Sequence, residues 1–571
     1  MKLLKDILKN AKPKLRVGVG IVLITVTSLG FLSFVDSNFE YAKNLDIFAS
    51  LFRELNIYYV DETDPGQLIE SGIDGMLESL DPYTTFIPES ELEDHRFAIT
   101  GQYGGIGSLI RKRGDKVLVA EPYEGFPAEK AGLRAGDIIL QVDGKEINGK
   151  NTSEVSKVLK GQPGSVVKLL VKREDTEDPF EVVITREEIK IKSVPYYGII
   201  EDGIGYIKLS NFTSKALSEV KAALNKLKEE NDLKGLIFDL RGNPGGLLRE
   251  SVNIVNLFVE KGEEIVSTRG RRQTLAKNHR ALNAPVDALI PLVVLVNRNS
   301  ASASEIVAGA IQDLDRGVVI GQKTFGKGLV QQTVKLTYNT QLKVTTAKYY
   351  IPSGRCIQAL DYANRNNDGS VGKIADSLMT EFKTKNGRSV FDGGGIDPDI
   401  KTDRDKRSNI ASRLLSKMLI FDYANKYRRE NDKIASATEF KLSDADYANF
   451  VSFLEDKDYD YTTRSERKLE ELKEIAEKEK YFEDAKLEYE ALEKKLTHSN
   501  EDDLIKFKDK IIRLLAGEIA VRYYYQQGRI ESMLVDDVDV LKGLEILKDE
   551  AWYAAILDGT YESKALEEEK E

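Results

Sequence analysis

Between residues 204 and about 350, apolar runs of strand length alternate with amphipathic stretches of helix length, and this alternation constrains the fold most. IGYIKLS (204–210) precedes a stretch with helical spacing near 213–230, and GLIFDLR (235–241) precedes another near 247–259. PLVVLVNR (291–298) leads into SASASEIVAGAIQDL (300–314), which is followed by GVVIG (317–321). A strand covered by helices on both faces reads as an unbroken apolar run. The pattern therefore predicts an α/β multidomain chain organised around a βα sheet.

The 571 residues exceed what one domain holds, and composition shifts suggest where the others lie. Residues 38–95 are expected to be helical, with Leu45, Phe48, Leu51, Phe52 and Leu55 spaced for one apolar face. Residues 96–190 carry short alternating runs, KVLVA (116–120) and SVVKLLVKR (165–173), punctuated by Gly and Pro, which predicts a small β-rich module. The βα core is assigned to 191–404 and a charged helical region to 405–571. In that last region Leu469, Leu472, Ile475, Leu492 and Leu496 form a helical stripe among Glu and Lys. It reads as a solvated helix with one packed face, a coiled-coil partner surface being the alternative.

Composition excludes several function classes. The formal net charge is −11, which disfavours a phosphate backbone as partner, so no nucleic acid is expected. Cys356 is the lone cysteine, and His95, His279 and His498 are far apart in sequence, so neither a metal site nor a cofactor is expected. The segment 1–37 carries a location signal. VGVGIVLITVTSLGFLSFV (17–35) is free of charge and long enough to span a bilayer, behind Lys2, Lys5, Lys9, Lys12, Lys14 and Arg16. By the positive-inside rule the rest of the chain is exported. The expected location is a bacterial-type cell envelope, anchored in the inner membrane with the remainder of the chain in the periplasm or extracytoplasmic space. A cleaved signal peptide is the competing reading.

The module at 96–190 opens with YGGIGSLI (103–110), which places Gly104, Gly105 and Gly107 just before a probable strand. Glycines there let backbone amides converge, and converging amides can hold a carboxylate. GFPAEKAGLRAGDIILQVDGKEI (125–147) follows, then a helix carrying Val155, Val158 and Leu159. The order resembles a PDZ domain. The resemblance implies that a polypeptide C-terminus adds as a strand beside Ile106–Leu109. Its carboxylate would meet the Gly104, Gly105 and Gly107 loop, and an apolar last side chain would face Val155 or Leu159.

In the core, the serines of NRNSASASEIVAG (297–309) stand where a strand hands over to a helix. A hydroxyl there gains from unpaired amides and the positive end of the helix dipole, although Ser is also a favoured helix cap. TFGKGLVQQ (324–332) adds Lys327, a lone lysine between glycines in apolar surroundings. If buried, its ammonium is disfavoured and the amine can act as general base, so serine chemistry needs no histidine. FDLRGNPGGLL (238–248) ends a strand in a turn where Gly245 or Gly246 can donate an amide to an oxyanion, with Arg241 read as shaping that turn. It fails as a phosphate loop, for no GK[ST] follows.

These three motifs, in this order behind a PDZ-like module, resemble the carboxyl-terminal processing peptidases, or tail-specific proteases. The resemblance spans most of 40–400 and includes SLDPYTTF (79–86), the strand KYYIPSGRCIQ (348–358) and GGGIDPDI (393–400). It implies a ClpP/crotonase-like core in which Ser302 is the nucleophile, Lys327 the general base and Gln331 the residue orienting the lysine. Ala303 with Gly245 or Gly246 would supply the oxyanion hole; spacing alone leaves Ser300 and Ser304 as rival nucleophiles. The implied partners are polypeptides with free, apolar C-termini, and 38–95 is the candidate element for a homodimer. A non-catalytic PDZ adaptor and an acyl-CoA-handling enzyme are the alternatives.

Overall fold

The computed structural model describes residues 39–272, 276–366, 368–402 and 407–561. The apolar run 17–35 and the anchor read from it lie outside the described residues. Among the described residues, no helix is long and apolar enough to cross a membrane. The chain divides into two compact units: residues up to Phe86 with Leu342–Val344, and Ile87–Gln341 with Thr345 onward.

In the first unit, residues 39–58 are helical and a second helix spans Pro65–Glu78. Asp64 caps that second helix, accepting from the amides of Gly66 and Gln67 at 2.8 and 3.2 Å, and Pro65 starts it where no amide donor is needed.

The second unit holds the sheet that the apolar runs predict. Its six strands lie in the order Tyr196–Glu201, Ile204–Lys208, Gly235–Asp239, Leu292–Val296, Val318–Gly321 and Ile400–Lys401. The first pair is antiparallel and the remaining pairings are parallel. Both faces are covered, so successive side chains enter different cores. Leu236, Phe238, Val294 and Val296 pack with helices Ala216–Glu230, Leu248–Val255 and Ala303–Asp313. Ile237, Val293 and Leu295 meet Val540, Leu544, Ile546 and Ile556, on helices Val538–Lys548 and Glu550–Leu557. Burying each such aliphatic side chain is worth roughly 1.5–3 kcal/mol. Helices from the end of the chain thus form one layer of the α/β core.

The β-rich module is an antiparallel sheet in the order Ser108–Arg113, Lys116–Pro122, Ile138–Val142, Val166–Lys172 and Phe180–Thr185. Helix Thr152–Leu159 packs on it, capped reciprocally by Asn151 and Glu154. Separately, Gln102–Gly105 pairs antiparallel with Glu187–Lys190.

The charged region forms helices from Asn409–Ser416 through Lys508–Leu534, with a core that includes Ile420, Tyr423, Phe450, Leu515 and Ile519. Of its expected stripe, Leu469 is buried while Leu472, Ile475, Leu492 and Leu496 stay exposed. The region also grips the β-rich module: Met418 and Phe421 pack on Leu118 and Ala120, and Arg113 pairs with Asp422 at 2.6 Å. In helix Lys508–Leu534, Tyr525 leaves helical geometry, with φ 54° and ψ −155°, and its hydroxyl donates to Glu129 at 3.0 Å.

The expected strand 348–358 is shorter than the sequence suggested. Strand Gln341–Tyr350 ends where Gly354, with φ +89°, closes a turn onto Ile351 O at 2.8 Å. Pro352 has no amide with which to extend the ladder.

Candidate active site

The three serines between strand Leu292–Val296 and helix Ala303–Asp313 have different environments. Ser300 and Ser304 are fully buried, and their hydroxyls donate to Leu240 O and Asn243 O, each at 2.9 Å. Ser302 is the one of the three that keeps contact with solvent. It stands immediately before the helix with φ 56° and ψ −113°. A residue with a β-carbon holds such a conformation only where its surroundings enforce it.

Glu305 does much of that enforcing. Its carboxylate is fully buried and accepts four hydrogen bonds. Oε1 takes Thr324 Oγ1 at 2.5 Å and Gly326 N at 2.7 Å; Oε2 takes Ser302 N at 2.7 Å and Lys327 N at 2.9 Å. One side chain therefore ties the backbone of Ser302 to that of Lys327. Burial pushes the Glu305 carboxyl above its ordinary pKa, and the donated bonds oppose that shift. From the other side, the Tyr349 hydroxyl lies at 3.1 Å from Ser302 O and also contacts Lys327 O. Lys327 is half-buried rather than enclosed. Sequence reading missed both clamps. The spacing Ser302-x-x-Glu305 is a capping-box signal that could have found Glu305; nothing local marks Tyr349.

The turn after Asp239 lies directly against Ser302. A β-carbon on Gly245, where φ is +101°, would lie 2.7 Å from Ala301 O, 2.9 Å from Ser302 Cβ and 3.0 Å from Ala303 N, so only glycine fits. The two glycine amides differ. Gly245 N donates to Asn243 Oδ1 at 2.9 Å, whereas the amides of Gly246 and Ala303 donate to no acceptor among the described residues. Asn243 O in turn accepts Ala301 N at 3.0 Å and Ser304 Oγ, so the turn and the serine segment are one hydrogen-bonded unit. Two open amides next to a solvent-reaching hydroxyl can stabilise an oxyanion as it forms.

Arg241 anchors the turn. It pairs with Asp239 at 2.8 Å and, across the fold, with Asp537 and Asp539, each at 2.7 Å. Asp239 also meets Lys208 at 3.0 Å and Tyr206 Oη at 2.6 Å. Burial alone would raise the Asp239 carboxyl, but Arg241 and Lys208 hold it far below the ordinary range. Gln331 extends from strand Leu329–Lys335 and donates to Thr345 Oγ1 at 3.3 Å. Among the described residues, no group of three or more His, Cys, Asp or Glu side chains is gathered as a metal ion would require.

In the β-rich module, Ser108–Arg113 is an edge strand, open to another strand on its outer side. Gly104 and Gly105 lie in the paired strand Gln102–Gly105, and Gly107 turns the chain with φ +73°. Among the described residues, the amides of Ile106 and Gly107 donate to no acceptor, although their carbonyls accept from Ala128 N and Tyr123 N at 2.7 and 2.9 Å. Ile106, Val155 and Leu159 are buried in the module's own core. On the same strand and helix, the exposed apolar side chains are Leu109 and Val158.

The profile of peptidase family S41 matches residues 203–363, a PDZ-domain profile matches 118–173, and a profile described as the C-terminal helical domain of probable PDZ-proteases matches 410–547. A carboxy-terminal-processing protease of Bartonella bacilliformis is 40% identical over 321 residues, covering 56% of this chain and 73% of its own. A probable CtpA-like serine protease of Staphylococcus aureus is 36% identical over 318 residues, covering 55% of this chain and 63% of its own. Among solved structures, a photosystem II D1 C-terminal processing protease is 28% identical and covers 63% of this chain and 92% of its own, with a TM-score of 0.34.

Proposed function

The chain belongs to peptidase family S41, the carboxy-terminal-processing proteases, and is a serine-type peptidase with a PDZ domain; from that premise we propose that Ser302, Lys327 and Gln331 form its catalytic set. The observation that carries the proposal is the Glu305 carboxylate, which joins the backbone of the one solvent-reaching serine to that of the one lysine in the TFGKG turn. In the proposed reaction Ser302 Oγ attacks the scissile carbonyl carbon while the Lys327 amine takes the hydroxyl proton. Negative charge collects on the carbonyl oxygen, facing the amides of Ala303 and Gly246. The lysine passes its proton to the leaving amine, which departs and leaves an acyl-serine. Water, deprotonated by the same lysine, releases the acid and restores the hydroxyl. Gln331 would orient the lysine from strand Leu329–Lys335. The half-buried state of Lys327 suggests that substrate completes its desolvation.

The substrates proposed are polypeptides with free, apolar C-termini. The open edge strand Ser108–Arg113 supports strand addition, and the unpaired amides of Ile106 and Gly107 support carboxylate capture. We also propose a ClpP/crotonase-like class for the core, a homodimer formed through 38–95, and a cell-envelope location with an inner-membrane anchor. This location rests on the sequence of residues 1–37.

The test uses one unstructured polypeptide with an apolar free C-terminus beside the same polypeptide with an amidated end. Cleavage by the intact chain, abolished in Ser302→Ala and Lys327→Ala and weakened by amidation, is expected. Tail binding without cleavage would favour a non-catalytic adaptor. Cleavage indifferent to the end group would remove tail selection and keep the serine–lysine chemistry.

A further inference from the structure

Resting on the peptidase reading above, we propose that Asp537 and Asp539, from the charged helical region, are positioning residues for the oxyanion turn and act on it through Arg241. The turn 240–246 does two jobs at once. It carries the open Gly246 amide, and its Leu240 and Asn243 carbonyls hold Ser300, Ala301 and Ser304 around the proposed nucleophile. Its orientation relative to Ser302 therefore depends on how firmly residue 241 is held. The Arg241 backbone is fixed at both ends: its amide donates to Asp239 Oδ1 at 2.8 Å and its carbonyl accepts Lys208 Nζ at 2.8 Å.

The side chain carries more restraint than its own strand supplies. Asp239 takes the Nε and Nη2 edge of the guanidinium at 3.1 and 2.8 Å, a bidentate grip whose single charge is shared with Lys208 at 3.0 Å. The remaining corner, Nη1, donates to both oxygens of Asp537 at 2.7 and 2.9 Å and to Asp539 Oδ2 at 2.7 Å. A planar fork gripped along two edges cannot rotate about its stem, so the acidic pair contributes direction as well as charge. The pair is itself rigidly mounted. Asp537 caps helix Val538–Lys548, accepting the amides of Asp539 and Val540 at 3.0 and 3.1 Å, and Asp539 accepts Thr402 Oγ1 at 2.5 Å. That helix lies on the underside of the catalytic sheet, with Gly543 against Ile237 and Val293. A segment some three hundred residues further along the chain is in this way tied to the turn that would receive the oxyanion.

The variant that isolates this role is Asp537→Asn with Asp539→Asn in the full chain. Asn caps a helix about as well as Asp, so the helix stays docked while both carboxylates facing Nη1 become neutral amides, each with one acceptor oxygen fewer. We expect kcat for the polypeptide to fall by on the order of tenfold to a hundredfold, the range that small misplacements of a reacting centre produce, with KM changing less than about twofold. Labelling of Ser302 by a fluorophosphonate should slow in step, and tail-peptide binding should be unchanged. Asp539→Asn alone, the milder change, should give a smaller loss of the same kind. A kcat equal to that of the unsubstituted chain, or a loss confined to KM, would overturn the proposal. Amide hydrogen exchange across 240–247 supplies a readout independent of turnover: it should accelerate in the double variant, and unchanged exchange would refute the restraint. Absence of cleavage by the unsubstituted chain would instead sink the peptidase reading, with the exchange arm still deciding whether the acidic pair holds the turn.

Discussion

Glu305 offers the sharpest test of how the site is held together, because its two oxygens face different kinds of donor. In Glu305→Gln one acceptor becomes an NH2 group, which must face either Thr324 and Gly326 or Ser302 and Lys327. The first orientation is favoured, since a threonine hydroxyl can turn and accept while a backbone amide cannot. One amide, Gly326 N, is then stranded, and the tie between Ser302 and Lys327 survives. A stranded buried donor costs about 1–3 kcal/mol, partly offset here because the variant no longer buries a charge. Glu305→Ala removes every acceptor and strands three amides, roughly 3–9 kcal/mol before water refills the space. At about 1.4 kcal/mol per factor of ten, Gln should slow the acylation of Ser302 by at most about a hundredfold and Ala by more than about a hundredfold. The assay is the second-order rate of fluorophosphonate labelling, measured beside thermal denaturation so that loss of fold is not read as loss of geometry. Equal rates for Gln and Ala, or unaltered labelling in both, would refute the clamp.

Two further outcomes follow from local geometry. Gly104→Ala would place a β-carbon 2.1 Å from Gly161 O, so tail-peptide affinity measured by fluorescence anisotropy should fall by at least about tenfold while Ser302 labelling continues. In the charged region burial would raise the Glu466 carboxyl, but bonds from Thr463 and His498 bring it down to about 2, below its ordinary 4.5. A carboxyl whose folded pKa is depressed stabilises the fold above its unfolded value and loses that contribution as pH falls toward the folded one. Helix Arg464–Glu479 should therefore become more open to hydrogen exchange between about pH 4.5 and 2, and Glu466→Gln should remove most of that pH dependence.

The sequence was most readable where chemistry and local structure coincide. Buried strands must be continuously apolar, so 204–208, 235–239, 292–296 and 318–321 announced themselves, and helix Ala303–Asp313 followed from its position after a strand. The different environments of the three serines were not readable, because they depend on which hydroxyls find carbonyls in a turn sixty residues earlier. The same holds for the two glycines: Asn243, not the glycine spacing, decides which amide remains open. In the β-rich module, spacing marked Val155 and Leu159 as apolar positions on one helix face, but it could not separate side chains filling the module's core from those left at its surface, such as Val158.

The charged region was the least legible part, for a physical reason. A helix rich in Glu and Lys carries no sign of which carboxylates face solvent and which face a distant cation. Nothing near Asp537 and Asp539 in sequence distinguishes them from Asp536, yet those two reach Arg241, and Val540, Leu544 and Ile546 close one face of the catalytic sheet. The same region, through Arg113–Asp422, Arg529–Glu121 and Tyr525–Glu129, also holds the module that presents the edge strand. Residues 525–539 therefore carry contacts to the β-rich module at one end and to the turn 240–246 at the other. A helical segment with both attachments fixes two geometries with one set of side chains.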